Sequence, residues 1–403
     1  MDHPGVSNEE QNIYFLSRLA LPPAPGLARE GGAGQPPPVT LIRERLESAE
    51  AALLRRAEKI DEVNDETVRG LVRQGETGLH KLANEGAGAS LTADERLGLE
   101  AVGAVDGSRP VLFVQDGTID LDALDPDSVL KRPWRDLAEA RLGGIERVAG
   151  SVGSICLPAF GNRQIGTGFA IAPGLILTNR HVLELIATLR GQGWTWRYDV
   201  QIDFRGEYER PATLAFDLDS VVLAGPDPIE GMSNFAHLDL AVIRVRGDLS
   251  LFPAPLPLGN DADAMDAGQA PRHPIYVVGF PAEPEIILPG DGAGMPPPQP
   301  GSEYTAPLKL LFDNVFGVKR WMPGLVDAGT GQLAGDTRNW IMGHDASTLR
   351  GSSGSCVVDF EGENALVVGL HFGGLARDQS WAHVLAALQS QLAGLDIAWR
   401  AEY

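Results

Sequence analysis

Three polar residues, far apart in this 403-residue chain, have side chains that could act together in nucleophilic chemistry. His181 follows the apolar pattern GLIL in GLILTNRHV, Asp239 lies between two leucines in HLDLAVIRV, and Ser353 lies in the cluster GSSGS. A serine hydroxyl is a weak nucleophile at neutral pH until a neighbouring base takes its proton. A buried carboxylate can hold an imidazole in one tautomer and stabilise the imidazolium that forms. Together the three residue types predict attack on an acyl group.

The residues around Ser353 fit the same chemistry. Gly351 and Gly354 let the backbone turn sharply, and they let a substrate carbonyl approach the amide groups. Ser352 and Ser355 are two further hydroxyls in the cluster, and we interpret them as turn residues. Each of these residues alone would be an ordinary polar residue at a strand end or in a turn, so only their combination is specific.

The elements that must position these residues are short strands. After about residue 150 the chain consists of apolar or alternating runs separated by Gly, Pro and Asp: SVGSICLP, GTGFAIAP, GLILTN, DVQIDF, LAVIRV, PIYVVGF, NWIMG, SCVVDF and ALVVGLHF. Many short strands with turns between them predict an all-β barrel or sandwich. A long helical pattern occurs only at 381–395, WAHVLAALQSQLAGL, and the Pro-rich tract 288–307 is predicted to be a surface loop.

The first part of the chain has a different character. Residues 1–39 include a Pro- and Gly-rich stretch and are predicted to be a flexible segment. Residues 40–149 predict a small helical module, because apolar residues recur at spacings of three and four along 42–60. Within this module, two apolar runs on either side of an Asp-Gly pair predict a β-hairpin at 110–122.

The composition restricts the compartment and the partners. The formal charge of -21 repels phosphates, so neither nucleic acid nor an anionic membrane is expected as a partner. The chain shows no apolar stretch of membrane-spanning length and no signal-peptide pattern at its start. Two cysteines, Cys156 and Cys356, can stay unpaired in a reducing compartment. We therefore expect a cytoplasmic protein, and since no histidines show metal-ligand spacing we expect no metal and no other cofactor.

The order His181, Asp239, Ser353 is that of chymotrypsin-type enzymes, whereas subtilisin-like enzymes and α/β-hydrolases have other orders. The segments GTGFAIAPGLILTNRHV, LDLAVIRV and GSSGS with GLHFGG resemble the three blocks of chymotrypsin-fold serine endopeptidases. Within that family they are most similar to the bacterial branch that includes the glutamyl endopeptidases. The resemblance covers roughly residues 150–380.

This resemblance implies a fold and a division into domains. The expected fold is mainly β, with two six-stranded antiparallel β-barrels of the chymotrypsin type behind a small N-terminal α-helical domain. The first barrel is expected at 150–258, and the second, together with a C-terminal helix, at 259–403.

The resemblance also implies the role of each site residue. Ser353 would be the nucleophile, His181 the general base and acid, and Asp239 the carboxylate that orients the imidazole. The backbone N–H groups of Gly351 and Ser353 would form the oxyanion hole.

In this family the side chain before the cut bond enters a pocket between two segments, here 347–350 and 369–374. Trypsin-like enzymes have an Asp where this chain has Ser347, so a preference for basic residues is not expected. Thr348 and His371 match the residues with which glutamyl endopeptidases hold a carboxylate, which implies cleavage after Glu or Asp. Alternatively, His371 is a satisfied polar residue on a strand, and the pocket takes small or apolar side chains.

Further residues of the second segment are expected to bind the substrate backbone. Phe372, Gly373 and Gly374 belong to that segment, and the two glycines are expected to expose a strand edge along which an extended peptide can pair.

Two classes of function follow. The first is a serine endopeptidase acting on protein or peptide substrates, and its similarity to bacterial proteases with small adaptor domains implies a role in antiviral defence. The second is an inactive trypsin-fold binding module or scaffold whose N-terminal helical module recruits a protein partner. Trypsin-like zymogens need an Asp just before the nucleophile to pair with a freed N-terminus, and this chain has Ser352 there. Removal of residues 1–149 is therefore not expected to be required for activity.

Overall fold

The computed structural model describes residues 12, 15–16, 39–58, 65–191, 193–210, 213–229, 234–260, 273–282, 312–349, 351–362, 364–375 and 379–400. The Pro-rich tract 288–307 and most of the predicted flexible segment 1–39 lie outside these residues. Among the described residues, no helix combines the length and the apolar character that crossing a membrane requires.

The described chain begins with helices and continues as strands. The helices are α1 (Val39–Ala57), α2 (Asp65–Glu85), α3 (Ala93–Val105), α4 (Arg132–Ser151) and α5 (Arg180–Ile186). The strands are β1 (Leu112–Gln115), β2 (Thr118–Ile119), β3 (Val152–Leu157), β4 (Arg163–Ala172), β5 (Leu175–Thr178), β6 (Ala187–Arg190), β7 (Gly193–Trp196), β8 (Gln201–Asp203), β9 (Ala215–Ala224), β10 (Ala241–Arg246), β11 (Leu258–Gly259), β12 (Pro274–Gly279), β13 (Arg320–Ala328), β14 (Ile341–His344), β15 (Cys356–Asp359), β16 (Val367–Leu375), β17 (Gln379–Val384) and β18 (Trp399–Arg400).

The strands close into two six-stranded antiparallel barrels, which confirms the predicted chymotrypsin-like fold. In the first barrel the order is β10-β5-β4-β3-β8-β9. In the second it is β12-β15-β16-β17-β14-β13, and pairing of β12 with β13 closes the ring. The inward faces are apolar, as barrel closure requires of side chains that alternate between interior and exterior.

The register of the first barrel brings two polar residues, Asn179 and Asp239, to one edge. Ala241, at the start of β10, pairs with Thr178, at the end of β5. The strands are antiparallel, so the chain just before β10 and the chain just after β5 leave the barrel side by side. A hydrogen bond from Asn179 Nδ2 to the carbonyl of Asp239, 2.9 Å long, joins these two segments.

The prediction of a C-terminal helix at 381–395 was wrong. Its first part is strand β17, which pairs with β14 on one side and β16 on the other, and a 3-10 turn at Leu385–Leu388 follows. Trp381, Ala382 and Val384 are buried in the second barrel. Burial in a two-sided ladder outweighs the helical preference of the local sequence.

The predicted helical module, residues 40–149 and called the helical region from here on, packs on the second barrel. One buried apolar cluster joins the two parts: it contains Leu79 of α2, Val102 of α3 and Val111 just before β1. The same cluster contains Met322 and Val357 of the second barrel. The hairpin β1–β2 also joins that barrel, because β1 pairs with β13.

A short piece of the predicted flexible N-terminal segment is also fixed. Asn12 Nδ2 donates to the carbonyls of Ala87 and Ala89, and Phe15 and Leu16 are buried against the helices. These apolar side chains explain why this piece is held, in contrast to what the Pro- and Gly-rich composition further along suggests.

Helices α2 and α3 approach each other at glycines. A Cβ added to Gly98 would overlap the backbone nitrogen of Gly75 and the carbonyl oxygen of Leu71. Neither backbone can move away without separating the two helices, so a side chain at position 98 is incompatible with this packing.

We expect Gly98→Ala to destabilise the protein by about 2 kcal/mol or more, because the added methyl group overpacks the α2–α3 contact. Gly103→Ala, on the same helix but with open space around its Cβ, should instead stabilise the protein by about 0.5–1 kcal/mol. Thermal unfolding followed by circular dichroism measures both. Equal effects of the two substitutions would contradict the packing described here.

Candidate active site

His181 lies in the first turn of α5, just beyond β5, and Asp239 holds it at two points. The backbone N–H of His181 donates to Asp239 Oδ1 at 2.9 Å, and its ring nitrogen Nδ1 lies 2.6 Å from Asp239 Oδ2. The Asp239 side chain is buried, while that of His181 is 28% exposed. With its Nδ1–H directed at the carboxylate, the imidazole presents Nε2 as a base.

The Asp239 carboxylate is ionised despite its burial. Burial by itself would raise the pKa of Asp239, but the charge and hydrogen bonds of His181, with a smaller contribution from His383, outweigh it and lower that pKa below its usual value. The carboxylate can therefore stabilise positive charge on His181.

His383 supports Asp239 from behind, and sequence reasoning missed it. Its Nε2 accepts a hydrogen bond from the Asp239 backbone N–H at 3.0 Å. Burial lowers the pKa of His383 to about 4, so the ring is neutral and can accept this bond at neutral pH. A sequence signal existed only as a His in a segment that was predicted to be helical.

Ser353 lies in the loop between β14 and β15, and both barrels hold this loop. From the first barrel, Thr167 donates its N–H to the Ser353 carbonyl and its Oγ1 to the Gly351 carbonyl, both at 2.8 Å. From the second barrel, the His371 carbonyl accepts the Gly354 N–H at 2.9 Å. Gly351 and Gly354 both have positive φ, +84° and +88°, which glycine adopts without strain.

Exposure distinguishes Ser353 from the other two hydroxyls of the loop. Ser352 and Ser355 are fully buried, whereas Ser353 is partly exposed. The Ser353 Oγ makes a long contact of 3.5 Å with the Phe372 carbonyl. The cysteines are no alternative nucleophiles, since burial raises the pKa of Cys156 to about 11 and that of Cys356 to about 12.

A series of contacts connects Ser353 with the His181–Asp239 pair across the junction of the barrels. The ring of Phe372, whose carbonyl Ser353 contacts, lies 4.7 Å from the ring of His383. His383 in turn accepts from Asp239. These contacts lead from Ser353 through Phe372 and His383 to Asp239.

The amides predicted to form the oxyanion hole lie in the loop 351–355. In the loop 351–355, the N–H groups of Ser352, Gly354 and Ser355 donate to backbone carbonyls. Within the part of the chain that the structure describes, the N–H groups of Gly351 and Ser353 donate to no protein group. An N–H group that donates to no protein group is the kind of donor that stabilises an oxyanion.

The predicted pocket residues Thr348 and His371 each have a protein partner already. His371 Nδ1 lies 3.3 Å from Nε2 of His344, and both rings are buried. Burial, helped by the nearby His344 and His181, lowers the pKa of His371 well below its usual value, and a hydrogen bond with the Trp381 backbone offsets this only in part. Thr348 Oγ1 lies 2.8 Å from the hydroxyl of Ser380.

Beside the site, no described strand pairs with one edge of β16. Strand β15 pairs with β16 only as far as Leu370, whereas β17 continues along Gly373 and Gly374. Among the described strands, nothing pairs with the other edge at 372–374, and a Cβ at Gly373 would meet open space. An extended peptide can add to this edge.

Comparison with known proteins places the chain among peptidases of this fold. The family model for the trypsin-like peptidase domain matches residues 166–370. A protein named "Probable serine protease" from Lysobacter enzymogenes is 33% identical over 367 residues, which cover 87% of this chain and 89% of the relative.

Solved structures with lower similarity include proteins from two organisms. The inactive form of the Rv3671c protease of M. tuberculosis is 20% identical, with a TM-score of 0.36, over 63% of this chain and 92% of that one. A mutant of human heparin binding protein is 15% identical, with a TM-score of 0.39, over 62% and 92%.

A second buried acid, Asp327, lies on β13. Its Oδ1 accepts from Gln379 Nε2 at 2.6 Å, and its Oδ2 is buried without a hydrogen-bond partner among the described residues. Burial of the carboxyl group and the neighbouring Asp345 raise the pKa of Asp327 to about 8. The carboxyl is therefore protonated in the folded protein at neutral pH.

This raised pKa makes stability depend on pH. Between pH 4 and 8 the folded state binds a proton at Asp327 that the unfolded state releases, so the contribution of Asp327 to stability is present at low pH and is lost as pH rises towards 8. We expect Asp327→Asn, which does not titrate, to raise the melting temperature at pH 8.5 relative to wild type and to do so much less at pH 5. Asp122→Asn, at an exposed carboxylate, is the control. If the melting temperatures of wild type and Asp327→Asn differ by the same amount at both pH values, the raised pKa is contradicted.

Proposed function

The chain belongs to the trypsin-like serine peptidase family, and we propose that it cuts protein or peptide substrates through an acyl-enzyme on Ser353. The observation that carries this proposal is the double hydrogen bond of the buried Asp239 to His181. With Nδ1 directed at the carboxylate, the other ring nitrogen of His181, Nε2, is the one proposed to act as base, and Asp239 supplies the charge that stabilises the imidazolium.

The proposed reaction follows from these positions. His181 Nε2 takes the proton of the Ser353 hydroxyl as Ser353 Oγ attacks the peptide carbonyl carbon, and the carbonyl oxygen becomes an oxyanion. The N–H groups of Gly351 and Ser353 donate to this oxyanion, and loss of one such donor typically costs about 3 kcal/mol of barrier. His181 then protonates the leaving amine, and water, deprotonated by the same nitrogen, hydrolyses the acyl-enzyme.

The segment 372–374 is proposed to hold the substrate backbone. Its open strand edge follows directly after His371, whose carbonyl fixes the Ser353 loop. A substrate strand that pairs there is therefore held in a fixed relation to the nucleophile. Holding the reacting groups in this way lowers the barrier, as it does in intramolecular reactions.

For the residue before the cut bond, we propose a preference for Glu or Asp. The pocket walls carry the hydroxyls of Thr348 and Ser380, which lie 2.8 Å apart, and the imidazole of His371. Ser347 at the base excludes an ion pair with a basic residue of the kind trypsin-like enzymes form. A carboxylate would receive hydrogen bonds from these groups and would favour protonation of His371.

One observation favours the second candidate, a preference for small or apolar side chains. His371 is buried and is engaged with His344 and the Trp381 backbone, so its ring is satisfied without a ligand. Binding a carboxylate there requires His371 to give up one of these partners or to gain a proton in a buried site. A role in antiviral defence and a protein partner for the helical region stay predictions.

We expect Asp239→Asn to lower kcat by about 10⁴-fold, because the imidazole then loses its orienting carboxylate and adopts the wrong tautomer. Asp359→Asn is a matched control, since Asp359 Oδ1 also pairs with a buried histidine, His273, at 2.7 Å, but it lies away from the site. Peptide hydrolysis and labelling by a fluorophosphonate probe measure the effect.

Labelling also separates the enzyme from an inactive binding module. It should occur on the wild type and disappear in Ser353→Ala. Unlabelled wild-type protein, or labelling that survives Ser353→Ala, would show that Ser353 is not an activated nucleophile.

A panel of peptides that differ only in the residue before the cut tests the pocket. We expect kcat/KM for Glu to exceed that for the isosteric Gln by tenfold or more, on the order of 1.4 kcal/mol of preference for the charge. Thr348→Val should reduce this ratio, because it removes one donor and keeps the shape. Equal rates with Glu and Gln, together with faster cleavage after Ala, would establish the small-residue preference instead.

A further inference from the structure

A buried arginine from the helical region contacts the pocket wall of the second barrel. Arg109 lies between α3 and β1, and its Nε and Nη2 donate to Asp345 Oδ1 and Oδ2 at 2.6 and 2.5 Å. Both side chains are almost entirely inaccessible to solvent, at 0% and 1% exposure. Arg109 Nη1 donates to the Ser108 carbonyl, and the guanidinium lies beside the ring of Trp134. The pair is bidentate, which fixes orientation as well as distance.

Asp345 is the residue at which the pocket wall leaves the barrel. It directly follows β14, and its Oδ1 also accepts the Leu325 N–H at 2.7 Å. Ser347, at the predicted base of the pocket, has its hydroxyl 3.5 Å from the Arg109 carbonyl. Arg109 therefore contacts this wall through its side chain and through its backbone.

The wall depends on such contacts because it has no strand pairing of its own. Residues 345–349 belong to no strand or helix, and the next strand, β15, begins only at Cys356. A carboxylate buried at Asp345 without a cation would be strongly unfavourable, and loss of one partner of a buried pair is more damaging than loss of both. Removal of Arg109 thus leaves the wall either strained or displaced towards water.

A second buried ion pair connects Arg109 with the first helix. Asp106 Oδ2 accepts from Arg45 Nη1 of α1 at 2.5 Å, and its Oδ1 accepts the N–H of Ser108 at 2.7 Å. Ser48 of α1 donates to the Asp106 carbonyl at 2.8 Å. The segment that carries Arg109 is therefore held to α1 by buried charges, and α1 is held to the pocket wall through it.

We propose that Arg109 is a positioning residue for the specificity pocket and that the helical region is a permanent part of the working enzyme. Trypsin-like zymogens use the N-terminal amine that cleavage frees. This chain instead supplies a buried guanidinium that orders the wall as soon as the protein folds. This inference rests on the proposed function in one respect, namely that the segment starting at Ser347 contacts the residue before the cut. It goes further than the expectation that activity does not require removal of residues 1–149. Separation of the helical region from the barrels should lower the activity.

The test compares Arg109→Met, Arg109→Lys and Arg320→Met with wild type. Arg320 is an equally buried arginine whose Nη2 bonds the Phe312 and Val315 carbonyls, so its loss should cost stability without touching the pocket wall. For Arg109→Met we expect KM to rise about tenfold on the best peptide, with kcat changed much less, and discrimination between peptides to fall. Arg109→Lys keeps the charge and should recover part of the loss, whereas Arg320→Met should keep the wild-type KM and discrimination.

Hydrogen exchange provides a readout that does not need activity. Amides at 345–349 should lose protection in Arg109→Met, while those of β5 and β10 should keep it. If wild type neither labels nor cleaves, the proposed function fails and exchange alone decides the role of Arg109. Unchanged protection at 345–349 in Arg109→Met overturns the proposal. So does an Arg109→Met enzyme that keeps the wild-type KM and the wild-type discrimination between peptides. An equal rise in KM in Arg320→Met, at the same drop in melting temperature, overturns it as well. Should Arg109→Met not fold, the same measurements on Arg109→Lys decide.

Discussion

The site depends on one buried carboxylate that receives two hydrogen bonds from the same residue. Asp239 binds both the backbone N–H and the ring of His181, so it fixes where the residue is and how its imidazole is turned. A buried carboxylate is costly unless such bonds compensate for lost hydration. The register of β5 against β10 is therefore constrained, because a shift by one residue would turn the side chains of one strand to the other face and break the pair.

Neither barrel makes the proposed site alone. The first supplies His181 and Asp239, the second supplies Ser353, and contacts in both directions hold the two together. Thr167 of β4 reaches across to the Ser353 loop, and His383 of β17 reaches back to Asp239. Lys319 makes a similar connection at the back, where its buried Nζ donates to the carbonyls of Ala149 and Phe204, and burial lowers its pKa to about 8.

The helical region is built into this scaffold. Its apolar residues share a core with the second barrel, and β1 extends the sheet at β13. The hairpin also contacts the first barrel, because Asp116 at its tip forms a bidentate pair with Arg210, with bonds of 2.6 and 2.5 Å. One short segment thus touches both barrels, while Arg109, just before it, touches the pocket wall. The region that looks separate in the sequence is part of the same packed structure.

The sequence by itself determined the fold class and the class of enzyme. Short apolar runs between turn residues specify strands, and His181, Asp239 and Ser353 were predicted as site residues from their local context and order, since residue type and neighbours are local properties. Only the tertiary structure decided the rest. His383 was hidden in a segment with a helical pattern that becomes β17 because it is buried between two strands. The Arg109–Asp345 pair and the partners of His371 join residues far apart in the chain, and such contacts depend on how the strands close into barrels and not on any pattern within reach of a single segment.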